Sequence, residues 1–521
     1  MNRSFHIQTF GCQMNANDSD WLVRSLTALG FVENGFADAS IYIINTCSVR
    51  DKPEQKVYSE LGRIARFCKV HGRSDVMVCV GGCVAQQAGP SLIRRFPQVR
   101  LLFGPDGISR VPGAITRLTE EPGLRLSLLE FADHYEERPS AWPWRLPPPV
   151  SGTDALPWRE RAAGKAPASA FVTIMQGCDN FCAYCIVPFV RGRQKSRRPG
   201  AILEECRALL DGGAREITLL GQNVNSYGQD GKTADDTPSG ENGRGFTDLL
   251  YAVAALPGIE RLRFVTSHPK DLAPKVIDAF AGIKALCPRL HLPLQSGADS
   301  ILKAMNRRYD TAGYLDMVRR LRNARPDITL TTDIIVGFPG ESEEDFQATM
   351  DMMQTVGFAS SFSFVYSDRP GTRALLLPGK VDRATALDRL SRLQEWQNQA
   401  STRILESMKG KTVDVLIEGR SRRDTLTDET CDVAGDEPAV QETPKPGEPG
   451  LGPQPATAKR AANTDEAWQG KTPQGFIVNV PLASCSGGNS RLDGWEGAMV
   501  PVCIEAAARH SLKGRQAGAP W

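Results

Sequence analysis

The feature that most constrains the fold is a sixfold alternation of a short apolar run with an amphipathic segment between residues 168 and 402. The apolar runs are FVTIM, EITLLG, RLRFVTS, RLHLPLQ, TLTTDIIVG and FSFVYS. Strands that alternate with helices form a parallel sheet, because each helix carries the chain back to the same end. Six such units predict an α/β fold with a partial (β/α)6 barrel, in which the loops after the strands carry the chemistry.

The loop after the first of these strands contains Cys178, Cys182 and Cys185 in the spacing C-x3-C-x2-C. Three such thiolates can bind three irons of a 4Fe-4S cluster and leave the fourth iron free for a ligand. With Tyr184 before the last cysteine, the run resembles the radical S-adenosylmethionine (SAM) signature. A zinc site is the alternative, but it requires a fourth ligand nearby, and the next histidine is His268.

The loops after the later strands carry glycines and polar side chains that suit a small ligand. Together with Tyr184, the predicted cofactor-binding residues are Gln222, Ser267, Gln295, Gly337, Gly340 and Glu341. Glycines let the backbone approach a ligand closely, and a carboxylate accepts hydrogen bonds from an amine or a hydroxyl. The alternative for Gly337–Glu341 is a plain tight turn before a helix that Ser342 caps.

The first 120 residues show the same alternation and predict a separate α/β domain with a parallel sheet. Cys12 lies just after the first apolar run, Cys47 at the end of the second and Cys83 just after the third. The carboxyl ends of parallel strands meet at one edge, so these residues form a second candidate three-thiolate site. The alternative is that they are small buried residues, as free cysteines often are.

The remaining sequence predicts a linker and a small β domain. Residues 121–167 are rich in proline and tryptophan and predict a linker. Residues 403–515 contain the runs TVDVLIEG, GFIVNVPL and AMVPVCIEAAA and predict a small antiparallel β-barrel. Residues 424–469 interrupt this region with ten acidic residues, three basic residues and six prolines, which predicts a disordered acidic insert.

Basic residues are concentrated in two places, although the net charge of the chain is only +2. The run RGRQKSRR at 191–198 follows the cysteine loop, and a second group follows the first strand of the C-terminal region. Clustered arginines favour a phosphate-bearing partner over an ordinary charged surface. The residues predicted to bind RNA are Arg191, Arg193, Arg420, Arg422 and Arg423.

Cysteine usage and hydropathy indicate the compartment. The 13 cysteines among 521 residues are too sparse for a disulfide scaffold, so reduced thiols and metal ligation are favoured. The N-terminus lacks the apolar core of a signal peptide, and no run of 18 apolar residues is present. These features predict a cytoplasmic protein that does not contact a membrane.

These motifs together resemble the methylthiotransferase family of radical SAM enzymes. The matching segments include TFGCQMNANDSD, NTCSVRDKPEQKVYSELGR, QGCDNFCAYCIVPFVRGR, LGQNVNSYG and TDIIVGFPGESEEDF, and the resemblance covers nearly the whole chain. It implies that Cys12, Cys47 and Cys83 hold a second 4Fe-4S cluster beside the radical SAM cluster. It also implies SAM as a cofactor and a C-terminal RNA-binding domain of the TRAM type, split by the acidic insert.

Within this family, the GCQMN, NTCSVR and GQNVNSY runs favour the branch that acts on tRNA bearing isopentenyladenosine. That branch adds a 2-methylthio group to the adenosine just 3′ of the anticodon. It consumes two SAM molecules and takes electrons from a donor of the flavodoxin or ferredoxin type; we expect a monomer. One alternative is a sister enzyme acting on threonylcarbamoyladenosine in tRNA or on a ribosomal-protein aspartate. The other is a non-catalytic RNA-binding or electron-transfer iron–sulfur protein.

Overall fold

The structure is a computed structural model that describes residues 3–48, 51–73, 75–138, 166–230, 245–421, 467–481 and 494–521. It contains a parallel N-terminal sheet, a parallel barrel-like unit and a closed C-terminal barrel. Most of the predicted insert, much of the predicted linker, and Arg422 and Arg423 lie outside the described residues. Among the helices described, none is long and apolar enough to cross a membrane.

The N-terminal domain is a six-stranded parallel sheet flanked by helices, in the order β2-β1-β3-β4-β5-β6. The strands are β1 (Ser4–Thr9), β2 (Val32–Glu33), β3 (Ile41–Thr46), β4 (Met77–Gly82), β5 (Val99–Phe103) and β6 (Leu126–Leu128). The helices are α1 (Gln13–Ala28), α2 (Asp51–Val70), α3 (Cys83–Ala88), α4 (Pro90–Arg95) and α5 (Val111–Glu120). Every residue of β3 and β4 is buried, as expected of parallel strands covered on both faces. The parallel α/β prediction is confirmed, but β6 lies in the stretch assigned to the linker, because three residues are too few to show periodicity.

The central unit contains the six predicted parallel strands and a small hairpin. The strands are β7 (Ser169–Thr173), β8 (Met175–Gln176), β9 (Lys195–Ser196), β10 (Glu216–Leu220), β11 (Arg261–Phe264), β12 (Arg289–His291), β13 (Thr329–Val336) and β14 (Ser360–Val365). The ladders β11-β10-β7 and β12-β13-β14 are parallel, and a parallel bridge between Leu262 and Leu286 connects them. This arrangement is the predicted partial (β/α)6 barrel.

Helices cover the outside of this barrel. They are α6 (Val187–Val190), α7 (Pro199–Asp211), α8 (Phe246–Ala254), α9 (Pro274–Gly282), α10 (Asp299–Ala304), α11 (Thr311–Ala324), α12 (Glu343–Val356) and α13 (Arg383–Glu406). The apolar faces of most of these helices and the strands share one core, which includes Leu219, Leu250, Phe280 and Phe346, whereas α6 and α10 pack in smaller clusters. The loops at the carboxyl ends of the strands are thereby held on a rigid frame.

The C-terminal domain is a closed barrel with the strand order β15-β16-β17-β19-β18. Its strands are β15 (Thr412–Arg420), β16 (Ala467–Lys471), β17 (Ile477–Pro481), β18 (Met499–Ala507) and β19 (Leu512–Gln516). The predicted small barrel is confirmed, with two strands more than the sequence indicated and with one pair, β17 and β19, that is parallel and not antiparallel as predicted. Residues 467–469 belong to β16, so the insert assigned to 424–469 ends before them. Both missed strands are only five residues long and contain glycine, which weakens a strand pattern.

Three arginines of β11 and β12 form hydrogen bonds between the central unit and the C-terminal barrel, near the amino ends of these strands. Arg261, Arg263 and Arg289 donate to backbone carbonyl oxygens of Asp414 and of residues 471–475 over 2.6 to 3.1 Å. The C-terminal barrel therefore lies at the end of the central unit opposite to the loops that follow its strands.

Candidate functional site

The N-terminal sheet brings Cys12, Cys47 and Cys83 together at its carboxyl edge. Cys12 immediately precedes α1, Cys47 follows β3, and Cys83 is the first residue of α3. Cys47 is hydrogen-bonded to both Cys12 and Cys83. Cys12 is exposed, and the other two are buried. The structure thus contains the three-thiol arrangement that the sequence suggested, called here the N-terminal trio.

Two local features let these loops approach one another. Gly11 adopts φ +129°, and a Cβ there would lie 2.3 Å from the Cβ of Cys47, so a side chain at this position would collide. The buried Asn15 amide donates to Asn45 Oδ1 at 3.0 Å and to the carbonyl oxygen of Thr46 at 2.8 Å. Neither asparagine was identified from the sequence, where their pairing across 30 residues leaves no pattern.

The thiols of the N-terminal trio differ in acidity. A hydrogen bond from Cys47 lowers the pKa of Cys12 to about 5, with the help of the positive charge of Arg191. The same causes lower the pKa of Cys83 to about 7. Cys47 has a pKa well above its ordinary value, because it donates to both neighbours and is buried. Thiolates are the form that binds metals, so the site favours ligation at Cys12 and Cys83.

Cys178, Cys182 and Cys185 lie in the segment between β8 and β9 and are called here the central trio. Cys178 and Cys185 are partly buried, and Cys182 is 9% exposed. Burial raises the pKa of Cys178 to about 11 and that of Cys185 further. These thiols therefore ionise only beside a strong positive charge, such as that of iron. Within the described ranges, no three His, Cys, Asp or Glu side chains are close enough together to hold a single metal ion. A 4Fe-4S cluster requires a wider separation of the cysteines, because each thiolate binds its own iron.

Two further side chains contact Cys182: His268, in the loop after the third strand where the sequence predicts site residues, and Arg307, which the sequence did not assign to the site. The Arg307 Nη1 donates to the Cys182 Sγ at 3.4 Å, and the His268 Nε2 lies 3.8 Å from the same atom. Burial, followed by the charge of Arg307, lowers the pKa of His268 to about 2, so its ring is neutral. His268 follows β11, where site residues are expected, whereas Arg307 lies beyond α10 and no pattern pointed to it.

Residues after β10 lie beside the cysteine loop, and two of them have buried polar atoms without a hydrogen-bond partner. Gln222 Oε1 accepts from the backbone N–H of Gly177 at 2.6 Å. Ser267 Oγ donates to Asn225 Oδ1 at 3.4 Å. In this described region, Asn225 Nδ2 and Asn223 Oδ1 are buried without a hydrogen-bond partner. A donor and an acceptor left open beside the trio fit a ligand with amino, carboxylate and hydroxyl groups, as SAM has.

Tyr184 and Gln295 lie close to this region. The Tyr184 hydroxyl is 3.5 Å from Arg307 Nη1. Gln295 has φ +72° and is 7% exposed, and its backbone N–H donates to the carbonyl oxygen of Asp333 at 2.8 Å. A non-glycine residue with positive φ is uncommon and frequently marks a functional position.

One carboxylate oxygen of Glu341 accepts two hydrogen bonds within the protein. Its Oε2 accepts from the Gly337 N–H at 2.6 Å and from Arg389 Nη1 at 2.9 Å, and the residue is 6% exposed. Gly340 has φ +86° in the same turn. The carboxylate therefore closes the turn after β13 and fixes it to α13. The assignment of Glu341 as a ligand contact stays a prediction, since both of these donors reach the same carboxylate oxygen.

The basic run at 191–198 is largely buried between the N-terminal and central domains. Arg191, Lys195 and Arg197 are 3%, 2% and 7% exposed. Lys195 forms an ion pair with Asp106 of the N-terminal domain. Burial excludes Arg191 from a surface that contacts RNA, which corrects that prediction. Arg193 is exposed and pairs with Asp179 at 2.7 Å.

The two cysteine trios are neighbours across the domain boundary. Cys83 packs in one buried cluster with Ile186 and Val190. Ile186 directly follows Cys185, and Val190 is the last residue of α6. The loop that carries the central trio is therefore packed against the helix that carries part of the N-terminal trio.

Exposed aromatic side chains surround the cysteine loop. Phe181, within the loop, is 40% exposed, and Phe189 in α6 is 49% exposed. The guanidinium of Arg193 lies 5.4 Å from the Phe181 ring centre. A Cβ built on Gly371 would lie 3.7 Å from the Phe189 ring. Phenylalanines of this kind offer flat apolar surfaces to an unpaired base.

Of the three arginines predicted to bind RNA in the C-terminal region, Arg420 is the one that lies among the described residues. It is exposed at the end of β15, and its guanidinium lies 5.7 Å from the Trp468 ring centre. Arg422 and Arg423 lie outside the described residues. The exposed position of Arg420 agrees with a phosphate contact.

Comparison with known proteins identifies relatives along the whole chain. Residues 172–353 match the radical SAM superfamily, and residues 4–104 match uncharacterized protein family UPF0004. The tRNA-2-methylthio-N(6)-dimethylallyladenosine synthase of Nitratidesulfovibrio vulgaris (strain Hildenborough) is 54% identical, over 100% of this chain and 99% of its own. The enzyme of the same name from Lawsonia intracellularis is 46% identical over 98% of both chains.

Among solved structures, the radical SAM methyltransferase TsrM from Kitasatospora setae has the same fold. The TM-score is 0.50 at 16% identity, over 72% of this chain and 74% of that one. This likeness supports the radical SAM fold derived above.

Proposed function

Because the chain belongs to the tRNA-2-methylthio-N(6)-dimethylallyladenosine synthase family of radical SAM enzymes, we propose that it adds a 2-methylthio group to N6-isopentenyladenosine in tRNA. Isopentenyl and dimethylallyl denote the same N6 substituent here. The target is the adenosine on the 3′ side of the anticodon. The protein is a methylthiotransferase that uses two 4Fe-4S clusters and SAM.

The observation that carries this proposal is the proximity of the two cysteine trios. An adenine C–H bond has no acidic proton or leaving group, so side chains alone cannot replace its hydrogen with sulfur, and cofactors must supply the chemistry. The N-terminal trio would hold one cluster, and the central trio would hold the other. When bound, the clusters and SAM supply the sulfur, the methyl group and the radical chemistry. The packing of Cys83 against Ile186 keeps the two sites together.

The residues of the chain hold these groups in place. Arg307 donates a hydrogen bond to Cys182 and fixes its orientation. Gln222 accepts from the Gly177 N–H and fixes the start of the cysteine loop. The open polar atoms of Asn223 and Asn225 would bind SAM. Burial of this region limits the access of molecules that would otherwise donate a hydrogen atom to the radical.

Exposed residues at two places would bind the tRNA. Arg193 and Phe189 border the cysteine loop, and Arg420 lies on the C-terminal barrel, to which we assign the TRAM role. Arginines there would contact phosphates, and an exposed ring would stack on a base of the anticodon loop. We further propose that the enzyme is cytoplasmic, because its substrate is tRNA, and that it is a monomer that receives electrons from a donor of the flavodoxin or ferredoxin type.

Nucleoside analysis of tRNA tests the proposal. A strain lacking the gene should accumulate isopentenyladenosine and lose its 2-methylthio derivative. The wild-type gene should restore the product, whereas genes encoding Cys83→Ala or Cys182→Ala should not. Restoration of a methylthio group on threonylcarbamoyladenosine instead would contradict the substrate assignment. An unchanged nucleoside profile in the deletion strain would contradict the proposed reaction.

A further inference from the structure

Arg191 belongs to the central domain, but its side chain reaches the N-terminal trio. It caps the C-terminus of α6, six residues after Cys185. Its Nη2 donates to Asn15 Oδ1 at 3.3 Å, and its Nη1 lies 3.9 Å from the Met14 Sδ. A hydrogen bond also joins Arg191 and Cys83. With 3% exposure, the guanidinium lies between the two domains and away from solvent.

The local surroundings of this cation do not neutralise it. Asn15 and Met14 carry no charge. Asp18 is near enough to interact with Arg191, but it forms an ion pair with Arg138 at 2.6 Å, with both side chains largely buried. A buried charge without a partner costs several kcal/mol. Among the described residues, the other groups near Arg191 that can carry negative charge are the thiols of the N-terminal trio.

We propose that Arg191 is the buried counter-cation of the N-terminal cluster site and holds the cluster's reduction potential up. This inference rests on the proposed assignment of Cys12, Cys47 and Cys83 as cluster ligands. Three thiolates make the bound cluster strongly negative, and an adjacent positive charge favours its reduced form. Net charge, hydrogen bonds to sulfur and solvent exposure are the factors that set iron–sulfur potentials. Arg191 is thus a positioning and tuning residue that need not contact the substrate.

The position of Arg191 in the chain also connects its positive charge to the segment that carries the central trio. The residue is on the same short segment as Cys185, and Ile186 and Val190 of that segment pack against Cys83. The cation therefore reaches the N-terminal trio only when the two domains are docked. The potential of one cluster site depends in this way on a residue of the domain that carries the other.

The test uses full-length protein in which Cys178, Cys182 and Cys185 are all alanine, so that only the N-terminal cluster remains. Into this background we would introduce Arg191→Lys, Arg191→Gln or Arg198→Gln. The last is a matched control, because Arg198 is an exposed arginine of the same basic run. The measurements are iron content after anaerobic reconstitution and the cluster's midpoint potential, followed by electron paramagnetic resonance during redox titration.

We expect Arg191→Gln to make the potential more negative, and Arg191→Lys and Arg198→Gln to leave it close to the parent value. Loss of cluster iron from a folded Arg191→Gln variant, with iron kept by Arg191→Lys, would also support the proposal. An unchanged potential in Arg191→Gln would overturn it. Equal shifts in the lysine and glutamine variants would overturn it too, since shape rather than charge would then be responsible. Failure of the proposed function would show separately, as an absence of cluster iron in the parent background.

Discussion

Lys195 and Asp106 form an ion pair across the boundary between the central and N-terminal domains, and their side chains are only 2% and 7% exposed. Asp106 also accepts a hydrogen bond from Gln176 at 2.5 Å. Gln176 lies two residues before Cys178, so this pair fixes the start of the central trio against the other domain. The contact joins residues 89 positions apart.

Removal of one member of this pair should destabilise the protein strongly. A buried ion left without its partner costs about 3–5 kcal/mol, so Lys195→Ala and Asp106→Ala should each lower the thermal unfolding midpoint clearly. The double variant Lys195→Met with Asp106→Leu should lose less than either. The exposed pair of Arg117 and Glu121 is the control, and its disruption should have little effect. A double variant as unstable as the sum of the singles would show that the two residues act independently.

The two cluster assignments predict iron contents. Anaerobic reconstitution should give about eight irons per wild-type chain, since each 4Fe-4S cluster contributes four. Replacing either the three cysteines of the N-terminal trio or the three of the central trio with alanine should leave about four. Replacing Cys79 and Cys206, which are buried elsewhere, should not change the iron content. Wild-type protein saturating at four irons would eliminate one of the two sites.

The attachment of the C-terminal barrel should depend on pH through Glu216. Glu216 supports Arg263 by an ion pair of 2.8 Å. Burial raises the pKa of Glu216, but the charges and hydrogen bonds of Arg263 and Ser169 outweigh it and lower that pKa below 4.5. A lowered native pKa means that the stabilisation is complete above pH 4.5 and is lost as the pH falls through the native value.

The stability difference between wild type and Glu216→Gln should therefore be largest above about pH 5 and should shrink below it. Urea unfolding of the apoprotein across this range provides the measurement, because acid would release bound iron. Glu260→Gln, at an exposed position, serves as the control. A difference that stays constant from pH 3.5 to 6 would mean that the carboxylate charge contributes nothing.

Phe189 should contribute to tRNA binding. A base stacked on an aromatic ring gains about 1–3 kcal/mol, so Phe189→Ala should weaken binding of an anticodon stem-loop roughly 5-fold or more, whereas Phe189→Tyr should retain it. Tyr251 is a matched control, since it is 47% exposed on the outer helix α8. Equal affinities of wild type and Phe189→Ala would remove this ring from the RNA-binding surface.

Arg420 should contribute through phosphate contact. Loss of one such contact reduces the slope of log affinity against log salt by about 1. Fluorescence anisotropy with full-length tRNA between low and moderate salt would measure this slope for wild type and Arg420→Ala. Arg319, exposed on α11, gives the comparison variant. An Arg420→Ala slope that matches wild type would place the RNA on another face of the barrel.

How much of the structure could be predicted from the sequence depends on whether the residues responsible for a feature are close together in the chain. The parallel strands and both cysteine trios were predicted, because periodicity and position relative to a strand are written into neighbouring residues. The run at 191–198 was predicted as an RNA surface, because a charged run gives no indication of partners such as Asp106 that lie far away in the chain. For the same reason the hydrogen bond from Arg389 to Glu341 was not predicted, since the two residues are 48 positions apart.

The attachment of the C-terminal barrel through Arg261, Arg263 and Arg289 has a consequence for substrate length. The cysteine loops lie at the other end of strands such as β13, whose eight residues span about 26 Å at roughly 3.3 Å each. A nucleoside or a very short oligonucleotide can occupy the site near the cysteines without reaching Arg420. If RNA contacts both the cysteine loops and Arg420, as proposed, only an RNA that extends over at least this distance can engage both, and we expect the protein to prefer tRNA over its free nucleoside partly by size.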